Sequence, residues 1–132
     1  MKRLRRSPRR GKKLASEEQA LVAANACLDM KAEDIVVLRV AELTAYADFL
    51  VITSGRSTRQ AQSIAERVQR AIAAAGSRPV GIEGEREGNW ILVDWGAVIV
   101  HVFYAPVREF YDLEKLWGDA PRLTFPGPHA RK

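Results

Sequence analysis

The run Phe49-Leu50-Val51-Ile52-Thr53 constrains the fold more than any other stretch of this chain. It is almost continuously apolar, without polar alternation, so it reads as a strand buried on both faces. Ser54-Gly55 breaks it, and Ser57-x-x-Gln60 follows as a capping box that opens a helix. Ile64, Ala65, Val68, Ala71, Ile72 and Ala75 stripe one face of that helix up to Gly76, a natural C′ residue. A strand enclosed on both sides needs partners at both edges and cover above and below. The rest of the chain must provide them.

It does so in a readable order. Ser16-x-x-Gln19 is a second capping-box pattern, with Glu17 and Glu18 in the first turn where the helix dipole favours negative charge. Leu21, Ala24, Cys27 and Leu28 then make an apolar helical face that ends near Lys31. Residues 35–40 are rich in β-branched side chains and predict a strand. Residues 79–84 predict a short edge strand, and Gly88-Asn89 a turn. Residues 90–95 and 98–104 predict two strands joined tightly at Gly96-Ala97. Pro106 leads into a helix over 108–117, closed by Gly118. The order α-β-β-α-β-β-β-α predicts a single α/β domain, with a mixed sheet of about five strands and helices packed on it.

The charge is unevenly spread. The formal net charge is +5, with 21 basic and 16 acidic residues. Eight of the basic residues (Lys2, Arg3, Arg5, Arg6, Arg9, Arg10, Lys12 and Lys13) fall in residues 1–13, which carry no acid. The remainder has 13 basic against 16 acidic side chains, a net −3. Residues 1–15 are therefore expected to be a disordered basic arm, 16–121 the folded domain, and 122–132, with Pro126, Gly127 and Pro128, an irregular tail. The arm is suited to an electrostatic contact with RNA, whereas a body using its own folded face for nucleic acid should be basic. At 132 residues the chain has room for one domain. The longest apolar runs, 20–24 and 71–75, are far short of the roughly 20 residues a membrane helix needs. One cysteine, Cys27, excludes an intrachain disulfide and fits a reducing compartment.

Four constellations invite chemical readings. Ser54-Gly55-Arg56-Ser57, between strand and helix, is placed as a phosphate cradle would be, but it lacks the glycine-lysine pattern of one, so a plain turn is preferred. Glu83 and Glu85, with Asp94 on a nearby strand, could bind a divalent cation, though a solvated acidic hairpin explains them better. His101, between Val100 and Val102 and sharing a face with Ile99 and Phe103, reads as a hydrogen-bonded core histidine. Cys27 reads as a small core residue. No metal cluster, cofactor motif or nucleophilic triad assembles from these spacings. Aromatic residues concentrate between 90 and 117 (Trp90, Trp95, Phe110, Tyr111 and Trp117), interleaved with Arg108, Glu109, Asp112, Glu114 and Lys115. Such a mixture suits either a core or a protein-binding surface. Alternation places Trp90, Leu92 and Asp94 on one face of their strand and Ile91, Val93 and Trp95 on the other. The row with the charge is the one expected to reach the surface, and Trp90, Asp94, Arg108 and Tyr111 are the expected partner-binding residues.

Four linked segments resemble the ribosomal silencing factor family, also called Iojap-like proteins. They are Leu43-Thr44-Ala45-Tyr46-Ala47-Asp48-Phe49-Leu50-Val51-Ile52-Thr53-Ser54-Gly55, running on through Gln60; Ile82-Glu83-Gly84-Glu85; Trp90-Ile91-Leu92-Val93-Asp94-Trp95-Gly96, then Val98–Phe103 with His101; and Arg108-Glu109-Phe110-Tyr111-Asp112-Leu113-Glu114-Lys115-Leu116-Trp117-Gly118-Asp119-Ala120-Pro121. The resemblance covers about residues 16–121. It implies a nucleotidyltransferase-like α/β fold without transferase activity, in a cytoplasmic protein. It also implies binding to the large ribosomal subunit through ribosomal protein uL14, which blocks joining of the small subunit and represses translation when nutrients are scarce. Ala97 departs from the pattern, standing where the family usually has Asp. The alternative, a metal-dependent nucleotidyltransferase, resembles a Gly-Ser turn followed by Asp-x-Asp on a strand; here Ser54-Gly55 runs into helix. A homodimer and an RNA contact by the arm stay open.

Overall fold

The computed structural model describes residues 14–125, and in it two parallel strands form the middle of a six-stranded sheet. Helix α1 spans Ser16–Asp29, strand β1 Glu33–Arg39, β2 Phe49–Gly55, helix α2 Thr58–Ala74, β3 Gly81–Glu83, β4 Trp90–Asp94 and β5 Val98–Tyr104. Two short helices, α3 (Ala105–Tyr111) and α4 (Leu113–Leu116), and strand β6 (Arg122–Leu123) follow among the described residues. The strand order is β3-β4-β5-β2-β1-β6. Only β2 and β5 run parallel, from Phe49 opposite Val98 to Gly55 opposite Tyr104, and every other pairing is antiparallel.

All seven residues of β2 are buried, as a central strand covered above and below should be. One sheet face packs under α1 and α2. Ala20, Ala23, Ala24 and Cys27 of α1 and Ala61, Ile64, Ala65, Val68 and Ile72 of α2 meet Val51, Ile91, Val93, Val98, Val100 and Val102 there. The alanines let α1 and α2 approach closely, and Arg67 on α2 ties to Asp29 at the end of α1 with an N···O distance of 2.9 Å. Burial pushes the Cys27 thiol up to about 12, so it stays a protonated core group. The opposite face holds a smaller cluster of Leu38, Val40, Leu50, Ile52 and Phe103, with Val107, Leu113 and Trp117 of the C-terminal segment packed on it.

Local signals were obeyed with small shifts. Ser57 Oγ accepts the Gln60 N–H at 3.0 Å, and Gln60 Oε1 accepts the Arg56 N–H at 2.7 Å, which closes the start of α2. In α1 the cap is Ala15 rather than Ser16: its N–H donates to Glu18 Oε1 at 3.1 Å. That helix stops at Asp29, with Lys31 already in the left-handed region at φ 58°. Leu21 and Leu28 are only half-buried, because the alanine row takes the core-facing side.

Two expectations are corrected. The stretch begun by Arg122 is not wholly irregular: it adds a sixth strand to the mixed sheet, for which about five were expected. Leu38 pairs with Arg122 and Val37 with Leu123, and the Arg39 N–H donates to the Pro121 carbonyl at 2.8 Å. The otherwise open edge of β1 is thereby paired, as exposed strand edges tend to be. The helix expected over 108–117 is two helices. It starts earlier, with Pro106 in its first turn where a missing N–H costs nothing, and breaks at Asp112, whose φ of 48° ends one helix and begins the next. The basic residues of the arm, and the tail beyond Phe125, lie outside the described residues. Ala97 contributes through its backbone: its carbonyl accepts the Asp48 and Phe49 N–H groups at 2.7 and 3.1 Å, so an Asp side chain is not needed for that link.

The Glu83-Gly84-Glu85 segment has a plain steric reason for its glycine. Gly84 adopts φ +78°, and a Cβ there would collide with the Trp90 carbonyl, whereas at Gly76, with φ +81°, a Cβ would enter open space. Gly84→Ala should therefore destabilise the protein by about 2 kcal/mol or more, and Gly76→Ala by roughly 1 kcal/mol, the left-handed cost alone. Urea unfolding midpoints of the two variants check the difference; equal losses would refute the steric account.

Candidate functional site

The sheet face away from α1 and α2 is covered by only two short helices, so part of it stays open to solvent. Strand β4 alternates as expected: Ile91 and Val93 are buried under the helices, while Trp90, Leu92 and Asp94 are half-buried on the open face. β4 runs antiparallel to β5 and sets Trp90 opposite Phe103 and Leu92 opposite His101. Because α3 begins one residue after β5 ends, its last turn comes back over Trp90. The Trp90 ring stacks on Phe103 at 4.9 Å between centroids and meets Tyr111 at 4.8 Å. Phe110 stands edge-on to Tyr111 at 5.1 Å and 88°. The outer members are open to solvent: Phe110 is 81% exposed and Tyr111 54%. On α4, Leu116 is 74% exposed, and with Leu43 and Trp117 it lines a separate shallow depression.

His101 sits beneath this cluster, 8% exposed, and its Nδ1 accepts the Trp90 Nε1–H at 3.0 Å. The hydrogen-bonded core histidine expected from the sequence is present, and its partner is the aromatic residue itself. Burial pulls the imidazole from its ordinary 6.5 down to about 4.

The four expected partner-binding residues separate. Trp90 and Tyr111 lie in ring contact. Asp94 shares their face but lies about 13 Å along the strand, four residues at roughly 3.3 Å each, where its Oδ1 accepts the Gly96 N–H at 2.8 Å. Arg108 faces inward and is 9% exposed. It pairs with Glu114 of α4 at 2.7 Å and donates to Ser54 Oγ at 3.3 Å and to the Glu33 carbonyl at 3.4 Å. Arg108 thus ties both short helices to the ends of β1 and β2 and presents little surface to a partner. Burial alone would raise the Glu114 carboxyl; the Arg108 hydrogen bond and charge outweigh it and hold that carboxyl below its ordinary value. Leu116 and Leu43 are surface groups that the sequence does not mark, and it marks Phe110 only as one of the aromatics of 90–117 that suit either a core or a surface. Phe110 carries no local signal that would place it outside the core, since successive helical residues can share a buried face, as Ala23 and Ala24 do. The acidic trio is dispersed, with Glu85 held by Gln69 at 2.8 Å and Asp94 by Gly96, and among the described residues no three His, Cys, Asp or Glu side chains gather into a metal site. Nor is any helix among them long and apolar enough to cross a membrane.

Two outcomes follow from this geometry. An imidazole held near 4 when folded and near 6.5 when unfolded binds its proton more readily in the unfolded chain, so stability is complete above about pH 6.5 and falls as the pH drops towards 4. At roughly 1.4 kcal/mol per pKa unit, that loss reaches about 3 kcal/mol. It should shrink in His101→Asn, as chemical denaturation at pH 7 and pH 4.5 would show; an unchanged pH slope would refute it. Arg108→Met should cost about 2–4 kcal/mol by leaving Glu114 enclosed without its cation, and a loss below about 0.5 kcal/mol would place Arg108 among ordinary surface residues.

Comparison with known proteins gives a consistent answer. The family model described as ribosomal silencing factor during starvation matches residues 13–132. The ribosomal silencing factor RsfS of Halalkalibacterium halodurans is 39% identical over 114 residues, 86% of this chain and 97% of that one. The mouse protein named mitochondrial assembly of ribosomal large subunit protein 1 is 35% identical over 89 residues, 65% of this chain and 39% of its own length. A crystal structure of a Chromobacterium violaceum protein superposes with a TM-score of 0.78 at 36% identity, covering 89% of this chain and 98% of that one. The chain belongs to the ribosomal silencing factor (RsfS) family.

Proposed function

We propose that this protein represses translation by docking the Trp90–Tyr111–Phe110 face on ribosomal protein uL14 of the large subunit, where its bulk keeps the small subunit from joining. The observation that carries the reading is the exposed aromatic cluster, mounted on a sheet and backed by a hydrogen bond. Exposed aromatics held in fixed positions are the usual anchors of protein interfaces, since they bury much area at little entropic cost. Family membership supports the ribosome as the target, and the name of the mouse relative supports its large subunit. Electrostatics agree: beyond residue 13 the chain carries a net −3, and ribosomal proteins are generally basic, so encounter is steered rather than opposed. A blockade of this kind is steric and requires no catalytic step. Residues 1–13 would add a salt-sensitive contact to ribosomal RNA.

Sedimentation of the purified protein with isolated large subunits tests the reading. Trp90→Ala and Phe110→Ser, each checked for folding, should weaken co-sedimentation by roughly thirtyfold, about 2 kcal/mol. Pull-down of isolated uL14 should fall in parallel. Deleting residues 1–13 should flatten the salt dependence of binding to whole subunits while leaving that pull-down nearly unchanged. Wild-type binding by folded Trp90→Ala and Phe110→Ser would reject this face.

A further inference from the structure

We propose that His101 is a positioning residue of this surface: its Nδ1 lone pair accepts the Trp90 indole N–H and sets the rotation of the ring on which Tyr111 rests. The inference builds on the docking reading, since it concerns how that surface is kept ready to bind.

Ring contacts alone leave Trp90 underdetermined. Phe103 below and Tyr111 beside it restrict the tilt of the indole, but contacts between apolar rings have broad minima and tolerate rotation within the plane. A directional bond at 3.0 Å removes that freedom. Indole Nε1 is a donor only, so His101 Nδ1 must be the acceptor, and the imidazole must be neutral with its proton on Nε2. Strand register provides the alignment. Trp90 pairs with Phe103 and Leu92 with His101, so the histidine lies diagonally across from Trp90 on the same face, within reach of a long side chain. The ring centroids are 6.0 Å apart and tilted by 44°, an arrangement in which the nitrogen edge of His101, rather than its face, meets the indole. Burial keeps the imidazole unprotonated at neutral pH, so the acceptor lone pair is available there. Protonation would set N–H against N–H and break the contact. The polar contact also satisfies an indole N–H that would otherwise lie against Phe103 with no acceptor, or turn outward in search of water.

The test uses the full chain labelled with 15N. The Trp90 indole N–H resonance is assigned by its loss in Trp90→Phe. In His101→Leu it should shift upfield, and binding to isolated large subunits should weaken about tenfold, the worth of one hydrogen bond. His101→Asn carries an amide oxygen close to the position of Nδ1 and should restore both readouts. His101→Gln, whose oxygen sits one carbon too far out, should not; the Asn and Gln pair decides the matter if His101→Leu fails to fold. In a Trp90→Phe background, His101→Leu should produce no further loss of binding, because the histidine acts through the indole N–H alone. An unmoved indole resonance in folded His101→Leu, or additive losses in the double variant, would overturn the positioning role. Wild-type binding by Trp90→Ala would instead sink the docking reading and the binding arm of this proposal together, while the resonance still reports whether His101 holds the ring.

Discussion

The parallel pairing of β2 with β5 is the constraint from which the other placements follow. Both strands are covered on two sides, and the chain must leave β2, cross over, and return before β5 can be laid down. The crossover is α2 together with the β3–β4 hairpin, so the hairpin has to attach to the free side of β5. Since β4 is antiparallel to β5, the start of β4 meets the end of β5, which puts Trp90 against Phe103 and lets the Tyr104 N–H donate to the Asn89 carbonyl at 2.9 Å. The chain then enters α3 at that same end. The aromatic cluster thus forms where β4 begins, β5 ends and α3 starts, and changing the direction of any one of them would disperse it.

The two sheet faces are treated unequally, and this leaves room for a surface. Helices α1 and α2, of 14 and 17 residues, cover the middle of one face. On the other side α3 and α4 have seven and four residues, and the left-handed Asp112 between them prevents a single longer helix. Helices this short have little stability of their own. They persist because Arg108 fastens both of them to the ends of β1 and β2 through Glu114, Ser54 and Glu33, while Val107, Leu113 and Trp117 pack inward. The ion pair is nearly enclosed, so its value lies less in net stability than in fixing one arrangement of the segment. Phe110 and Tyr111 project outward from that fixed segment.

What could be read in the residues depended on whether a signal was local. Continuous burial of 49–53, the Ser57 cap, the stop at Gly76 and the alternation along 90–95 are all short-range patterns, and the fold honours them. The inward turn of Arg108 was not readable, because it depends on Glu33 and Ser54, far away in sequence, and on a helix break at an Asp that carries no strong breaking signal. β6 escaped notice for a similar reason: Arg122 and Leu123 have little strand character and pair only because β1 leaves an edge open. Within the site, alternation placed Trp90, and the turn after Pro106 brought Tyr111 to it. It could not rank Asp94, which shares the face but sits at the far end of the strand.

An exposed aromatic cluster invites self-association unless it is guarded. Here the guards are exposed charges in the same segment: Glu109 precedes Phe110, Asp112 follows Tyr111, and Lys115 precedes Leu116. Glu109 and Asp112 outnumber Lys115 there, so the border of the patch is net acidic. A basic partner meets the same carboxylates as attractions. On the proposed docking reading, these charges favour a basic partner over an acidic one, so discrimination would draw on repulsion as well as attraction. Rigidity then matters for affinity. A ring already held by strand register, stacking and one hydrogen bond loses little freedom when a partner closes over it, and this is the physical case for a polar histidine beneath an otherwise apolar cluster.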